Sequence, residues 1–121
     1  MTLHQQMAYG LTSIVRSPRD TEYDIIARVT RQLGKANEEW DKASRPSRAL
    51  LEALHLNERL WSTLATDVAL EENGLPATLR AKLFYLYRFT QHHSERVRKN
   101  EGEVGVLIDI NTAVLRGLRG G

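Results

Sequence analysis

The chain has 121 residues, no cysteine, and 17 lysines and arginines against 15 aspartates and glutamates, for a formal charge of +2. A chain of this length buries about two-thirds of its unfolded surface without staples, and the missing cysteines exclude disulfides and thiolate chemistry and fit a reducing cytoplasm. The two signs of charge interleave along every segment, so no strong polyanion field is expected, and no apolar run approaches a membrane span.

The N-terminal MTLHQQMAYG has neither the basic region nor the continuous apolar core of a secretory signal. Leu3 to Val15 reads as a short helix with Met7, Leu11 and Ile14 on one side. Ser17-Pro18-Arg19-Asp20 then breaks and restarts the chain. Ser17 caps, Pro18 suits the first helical position, and Asp20 resembles the far half of a capping box with a shorter acid. The helix that follows is predicted to run to about Ala43, with Tyr23, Ile26, Val29 (or Thr30), Leu33 and Trp40 facing inward. Glu38 and Glu39 oppose the dipole at its C-terminal end and are expected to face solvent.

A second break at Ser44-Arg45-Pro46-Ser47 leads into the central stretch, Arg48 to Phe89. It reads as two long helices joined at Asn73-Gly74-Leu75-Pro76, since Asn-Gly ends a helix and proline starts one where its missing N–H costs least. Leu50, Leu54, Asn57, Trp61, Leu64 and Val68 share one face of the first; Leu79, Leu83, Leu86 and His93 share one face of the second. The two should pack as an antiparallel pair. Asn100-Glu101-Gly102 ends the second of them. A last helix, about Val104 to Leu118, carries Leu107, Ile108, Asn111, Val114, Leu115 and Leu118 on one face, and residues 118–121 form a tail with nothing to hold it. Only three prolines and no alternating β-branched runs complete an all-α expectation: one domain over 1–121, a bundle of about five helices.

The helix after Pro76 carries more apolar surface than one core face uses. Leu83, Phe84, Tyr85, Leu86, Tyr87 and Phe89 go most of the way round it, interrupted only by Arg88. Such a helix is either enclosed by a bundle or partly exposed for a partner.

Sites of chemistry are scarce. Adjacent His92 and His93 point about 100° apart on a helix, and His4 and His55 lack a second ligand at helical spacing, so no metal site is expected. His93 reads instead as a bundle residue with a hydrogen-bond partner. Asp67 lies one turn from Glu71 and reads as part of a solvated acidic face. No acid pairs with a nucleophile, and there is no phosphate loop or dinucleotide fingerprint, so neither an enzyme nor a cofactor is expected. Asn57 and Asn111 fall within apolar stripes, where an asparagine needs a partner and often fixes helix register. Arg16, Arg19, Arg28 and Arg31 are read as solvated cations, and the helices are too long for a recognition-helix turn, so nucleic acid is not an expected partner. The terminal Arg-Gly-Gly is too short to count as an RNA-binding segment.

The combination of N-x-x-L-W-x-x-L-A-x-D (Asn57 to Asp67), L-P-x-x-L-R-A (Leu75 to Ala81) and L-I-D-I-N-x-x-V-x-x-G-L (Leu107 to Leu118) resembles the flagellar biosynthesis regulator FlaF family of alphaproteobacteria. The likeness extends to RDTEYDIIARVTRQL (Arg19 to Leu33) and to the segment around His93 to Val97, so it covers nearly the whole chain. It implies a cytoplasmic, non-enzymatic protein that promotes flagellin production or secretion, opposes the translational repressor FlbT, and acts as a dedicated flagellin chaperone. On that reading the partner is flagellin, through its terminal amphipathic helices, with FlbT as a possible third component. Phe84, Tyr87, Arg88, Leu107 and Ile110 are expected to line the flagellin groove, and Asn57, Trp61, Asp109 and Asn111 to belong to the scaffold. Two other readings stand beside it: a regulator acting on flagellin message, directly or through FlbT, and self-association through the tyrosine-rich helix.

Overall fold

The computed structural model describes residues 18–69 and 75–120, with side chains over 21–69 and 75–117. Among the described residues there are four helices and no strand: α1 (Pro18–Glu39), α2 (Arg48–Ala69), α3 (Ala77–Arg98) and α4 (Val104–Gly120). The helix expected over Leu3 to Val15 and the Ser17 cap expected for α1 lie outside the described residues, as does the Asn73-Gly74 turn.

The four helices form a ring. α1 packs against α2 and α4, and α3 packs against the same two, with the seam between α3 and α4 the narrowest. The connections after α1 and after α3 lie at the same end, because Lys42 reaches Glu103 at 3.5 Å and Asn100 Nδ2 donates to the Ser44 carbonyl at 3.4 Å. Neighbours in the ring are therefore antiparallel.

That end of the bundle is tightly filled. Leu33, Ala36 and Trp40 meet Leu50, Ala53 and Leu54 of α2, Val97 of α3, and Val104 and Leu107 of α4. A second cluster lies further along, where Ile26, Val29 and Leu60 pack with Ile25, Leu64, Val114 and Leu115. It draws on α1, α2 and α4, with no side chain from α3.

Local chemistry sets the helix ends. α1 stops at Glu39, four residues before the predicted end. Trp40 turns its indole N–H back onto the carbonyls of Ser44 and Arg45 at 3.3 and 3.2 Å, and the Asp41 carboxylate accepts from the Ala43 N–H at 3.0 Å. Side chains that bond nearby backbone in this way compete with helix continuation. Ser47 Oγ accepts from the Leu50 N–H at 3.1 Å and so caps α2. α3 ends in a Schellman arrangement: Asn100 takes φ 62°, its N–H bonds the Val97 carbonyl, and the Glu101 N–H bonds the Arg96 carbonyl at 2.8 Å. Pro18 opens α1, whereas Pro76 sits one residue before α3. α4 continues to Gly120, so the predicted tail at 118–121 is instead helical through its third residue.

Candidate partner-binding face

α3 is two helices in one. Leu79, Leu83, Leu86, Thr90, His93 and Val97 recur at alternating spacings of four and three, the seam of a helix that packs lengthwise on a partner. The C-terminal part of the seam is covered: Thr90, His93 and Val97 are buried, together with Ser94. Its polar atoms are satisfied locally. Thr90 Oγ1 donates to the Tyr87 carbonyl at 2.8 Å, Ser94 Oγ to the Thr90 carbonyl at 2.7 Å, and His93 Nε2 lies 2.7 Å from the Glu103 carbonyl. The His93 ring also stacks on Phe89, with centroids 5.7 Å apart. The His93–Glu103 contact holds the start of α4 against the end of α3.

The N-terminal part is the reverse. Between Ala77 and Phe89 no side chain is buried. Leu79 is 40% exposed, Leu83 and Leu86 are only half-covered, and Phe84 and Tyr85 stand out at 45% and 67%. The greasiest part of the seam is thus the least covered, and the polar part is the most covered. Burial normally runs the other way. Phe84 leans on Tyr87, centroids 5.7 Å apart and tilted by 56°.

Phe84 is flanked one turn to each side by Arg80 and Arg88, which places all three on one face. From Ala77 to Ser94 the sequence holds Arg80, Lys82 and Arg88 and no acid. Ion pairs elsewhere join Arg48 to Glu52 at 3.3 Å and Arg98 to both Glu58 and Glu95, yet among the described residues no carboxylate pairs with these three. The Arg80 Nε is buried and has no hydrogen-bond partner. α3 also begins without a side-chain cap and without an acid in its first turn, so the helix's own side chains leave the positive end of its dipole uncompensated.

Not every expected groove residue lies here. Phe84 and Arg88 are exposed and Tyr87 is half-buried beside them, while Ile110 is half-buried on α4. Leu107 is fully buried in the filled end of the core and touches no partner surface. It shares the stripe of Asn111 and packs with Val104 and Val97, so the stripe it belongs to is the internal one. Asp109, expected in the scaffold, is exposed, because it falls on the opposite side of α4 from Leu107 and Asn111. Asp67 is only 6% exposed rather than solvated, lying three residues from Leu64 and seven from Leu60 on the inner side of α2.

Asn57 and Asn111 meet across the bundle interior. Trp61 Nε1 donates to Asn111 Oδ1 at 2.9 Å, and Asn111 Nδ2 donates to Asn57 Oδ1 at 2.8 Å. All three are essentially without solvent contact. This chain links α2 to α4, which do not touch through their backbones, and fixes their register. Asn57 Nδ2 is left without a partner. The half-buried Arg80 was not singled out from sequence; its position four residues before the exposed Phe84 was the available signal.

No helix among the described residues is long and apolar enough to cross a membrane, and no group of three or more His, Cys, Asp or Glu residues there is placed to hold a metal ion. Comparison with curated proteins and with solved structures gives no match. A family model described as flagellar protein FlaF matches residues 5–118. With that match running almost from end to end, the chain belongs to the FlaF family of flagellar proteins.

Proposed function

We propose that the protein is a cytoplasmic flagellin chaperone whose α3 receives the terminal amphipathic helices of flagellin, holds them apart from one another, and so promotes flagellin synthesis and export. The observation that carries this reading is the uncovered seam of Leu79, Leu83 and Leu86 with Phe84 and Tyr85 beside it. Family membership adds the flagellar setting. The role is binding and not catalysis.

The physical logic is direct. An amphipathic helix without its assembly partners exposes an apolar stripe, and a helical scaffold with an open seam covers it by helix-in-groove packing. Completing the burial of each half-covered aliphatic or aromatic side chain contributes about 1 kcal/mol before ordering costs. Phe84, Tyr87, Arg88 and Ile110 remain the proposed contacts, and Leu79, Leu83 and Leu86 join them; Leu107 does not.

Co-purification with flagellin, full length and lacking either terminus, tests the reading. Retention of the full-length protein and loss with one terminal deletion supports it. Equal retention of both truncated forms, or none of any form together with a salt-sensitive shift of flagellin mRNA, would replace it with action on the message.

A further inference from the structure

The seam of α3 is apolar, but its rim has one sign. We infer that the segment bound there is an amphipathic helix whose polar edges are acidic, engaged by Arg80 and Arg88 on either side of Phe84. This rests on the proposed partner-binding role of α3 and adds to it the chemistry of the partner.

Arg80, Phe84 and Arg88 succeed one another at intervals of four, so the two guanidinium-bearing positions lie about 12 Å apart along the helix. A partner helix matching them carries carboxylates seven or eight residues apart, with an apolar residue between them to meet Phe84. Three observations select carboxylates. Arg80, Lys82 and Arg88 have no ion-pair partner among the described residues, although Arg48, on α2 next to the exposed Leu51, is already paired with Glu52. From Ala77 to Ser94 α3 itself offers no acid, and a guanidinium is matched best by a planar anion that accepts two bonds. The uncapped start of α3 adds positive potential at the same end.

Aromatic and basic residues together also describe a single-stranded nucleic-acid site. The aliphatic seam decides against it here. Leu79, Leu83 and Leu86 offer a lengthwise apolar trough suited to a helix, and leucines give bases no face to stack on.

The test uses two synthetic peptides of about 18 residues with the same apolar face. One carries glutamates at the two matching edge positions and the other carries glutamines. Fluorescence anisotropy with the whole protein at low and high salt reads the difference, with a fluorescent oligouridine as a third probe and flagellin co-purification alongside. The glutamate peptide is expected to bind about tenfold tighter at low salt, the advantage shrinking as salt rises. Arg80→Gln combined with Arg88→Gln should abolish that advantage and leave the glutamine peptide unchanged, and circular dichroism confirms that the variant is folded. Equal affinities for the two peptides overturn the inference, and so does tighter binding of oligouridine. Flagellin retained equally by wild type and double variant sinks the acidic preference but leaves the flagellin reading standing. An acid-selective protein that retains no flagellin sinks the flagellin reading alone.

Discussion

Replacing Asn111 with leucine should destabilise the bundle more than the same change at Asn57, although the two side chains bond each other. Asn111 accepts from Trp61 Nε1 and donates to Asn57 Oδ1. Removing it orphans both, at about 1–3 kcal/mol each. Asn57→Leu orphans only Asn111 Nδ2 and at the same time removes Asn57 Nδ2, a buried donor that has no acceptor now. The expected losses are about 3 kcal/mol for Asn111→Leu and about 1 kcal/mol or less for Asn57→Leu. Urea unfolding followed by tryptophan fluorescence reads them directly. At a slope of about 1.5 kcal/mol per molar, the Asn111 variant melts about 2 M earlier. The double variant leaves only Trp61 Nε1 unpaired, so it should be more stable than Asn111→Leu alone, a coupling that additivity does not allow. If Asn57→Leu costs as much as Asn111→Leu, the assignment of donors and acceptors along this chain is wrong.

Two further outcomes concern the scaffold. Leu107→Ala should cost about 2–5 kcal/mol in the same urea experiment and leave any flagellin affinity of the folded protein unchanged, since that side chain is enclosed by the core. Arg98→Met should cost no more than about 1 kcal/mol, less at high salt. The Arg98 guanidinium is held above its usual pKa, mainly by its hydrogen bond to Glu58 and against partial burial. A raised pKa on a base stabilises the fold fully below its unfolded value and is lost only above it. The guanidinium therefore adds no slope between about pH 6 and about pH 9, and any pH dependence of the difference between wild type and variant there must come from another group.

The helical class, the start of α2 and both ends of α3 were legible in sequence because periodicity, prolines and Asn100-Glu101-Gly102 all act locally. The end of α1 was not. Trp40 keeps the helical phase of Leu33 and Ala36, so the pattern runs on while the indole closes a turn over Ser44 and Arg45. For the site, the excess of apolar residues on α3 was visible, but which of them stay uncovered was not. Leu79, Leu83 and Leu86 carry the same inward phase as Val97, and only packing reveals that the core stops short of them. Leu107 shows the converse: an apolar stripe looks the same in sequence whether it meets the molecule's own core or another chain. Asp67 was misread because its spacing from Glu71 outweighed its equally good phase with Leu60 and Leu64. That Trp61 shares in the polar chain of Asn57 and Asn111 depends on two helices meeting diagonally, which one-dimensional spacing does not encode.

The most direct test of the role of α3 is the affinity for flagellin of Leu79→Ser combined with Phe84→Ser, measured beside wild type and beside the urea curve of each. Both side chains are about 40% exposed or more, so stability should change by about 0.5 kcal/mol per site or less. Flagellin affinity should fall at least about thirtyfold, as expected when two apolar anchors leave an interface. Undiminished affinity in a variant of unchanged stability would show that flagellin, if it binds at all, binds elsewhere.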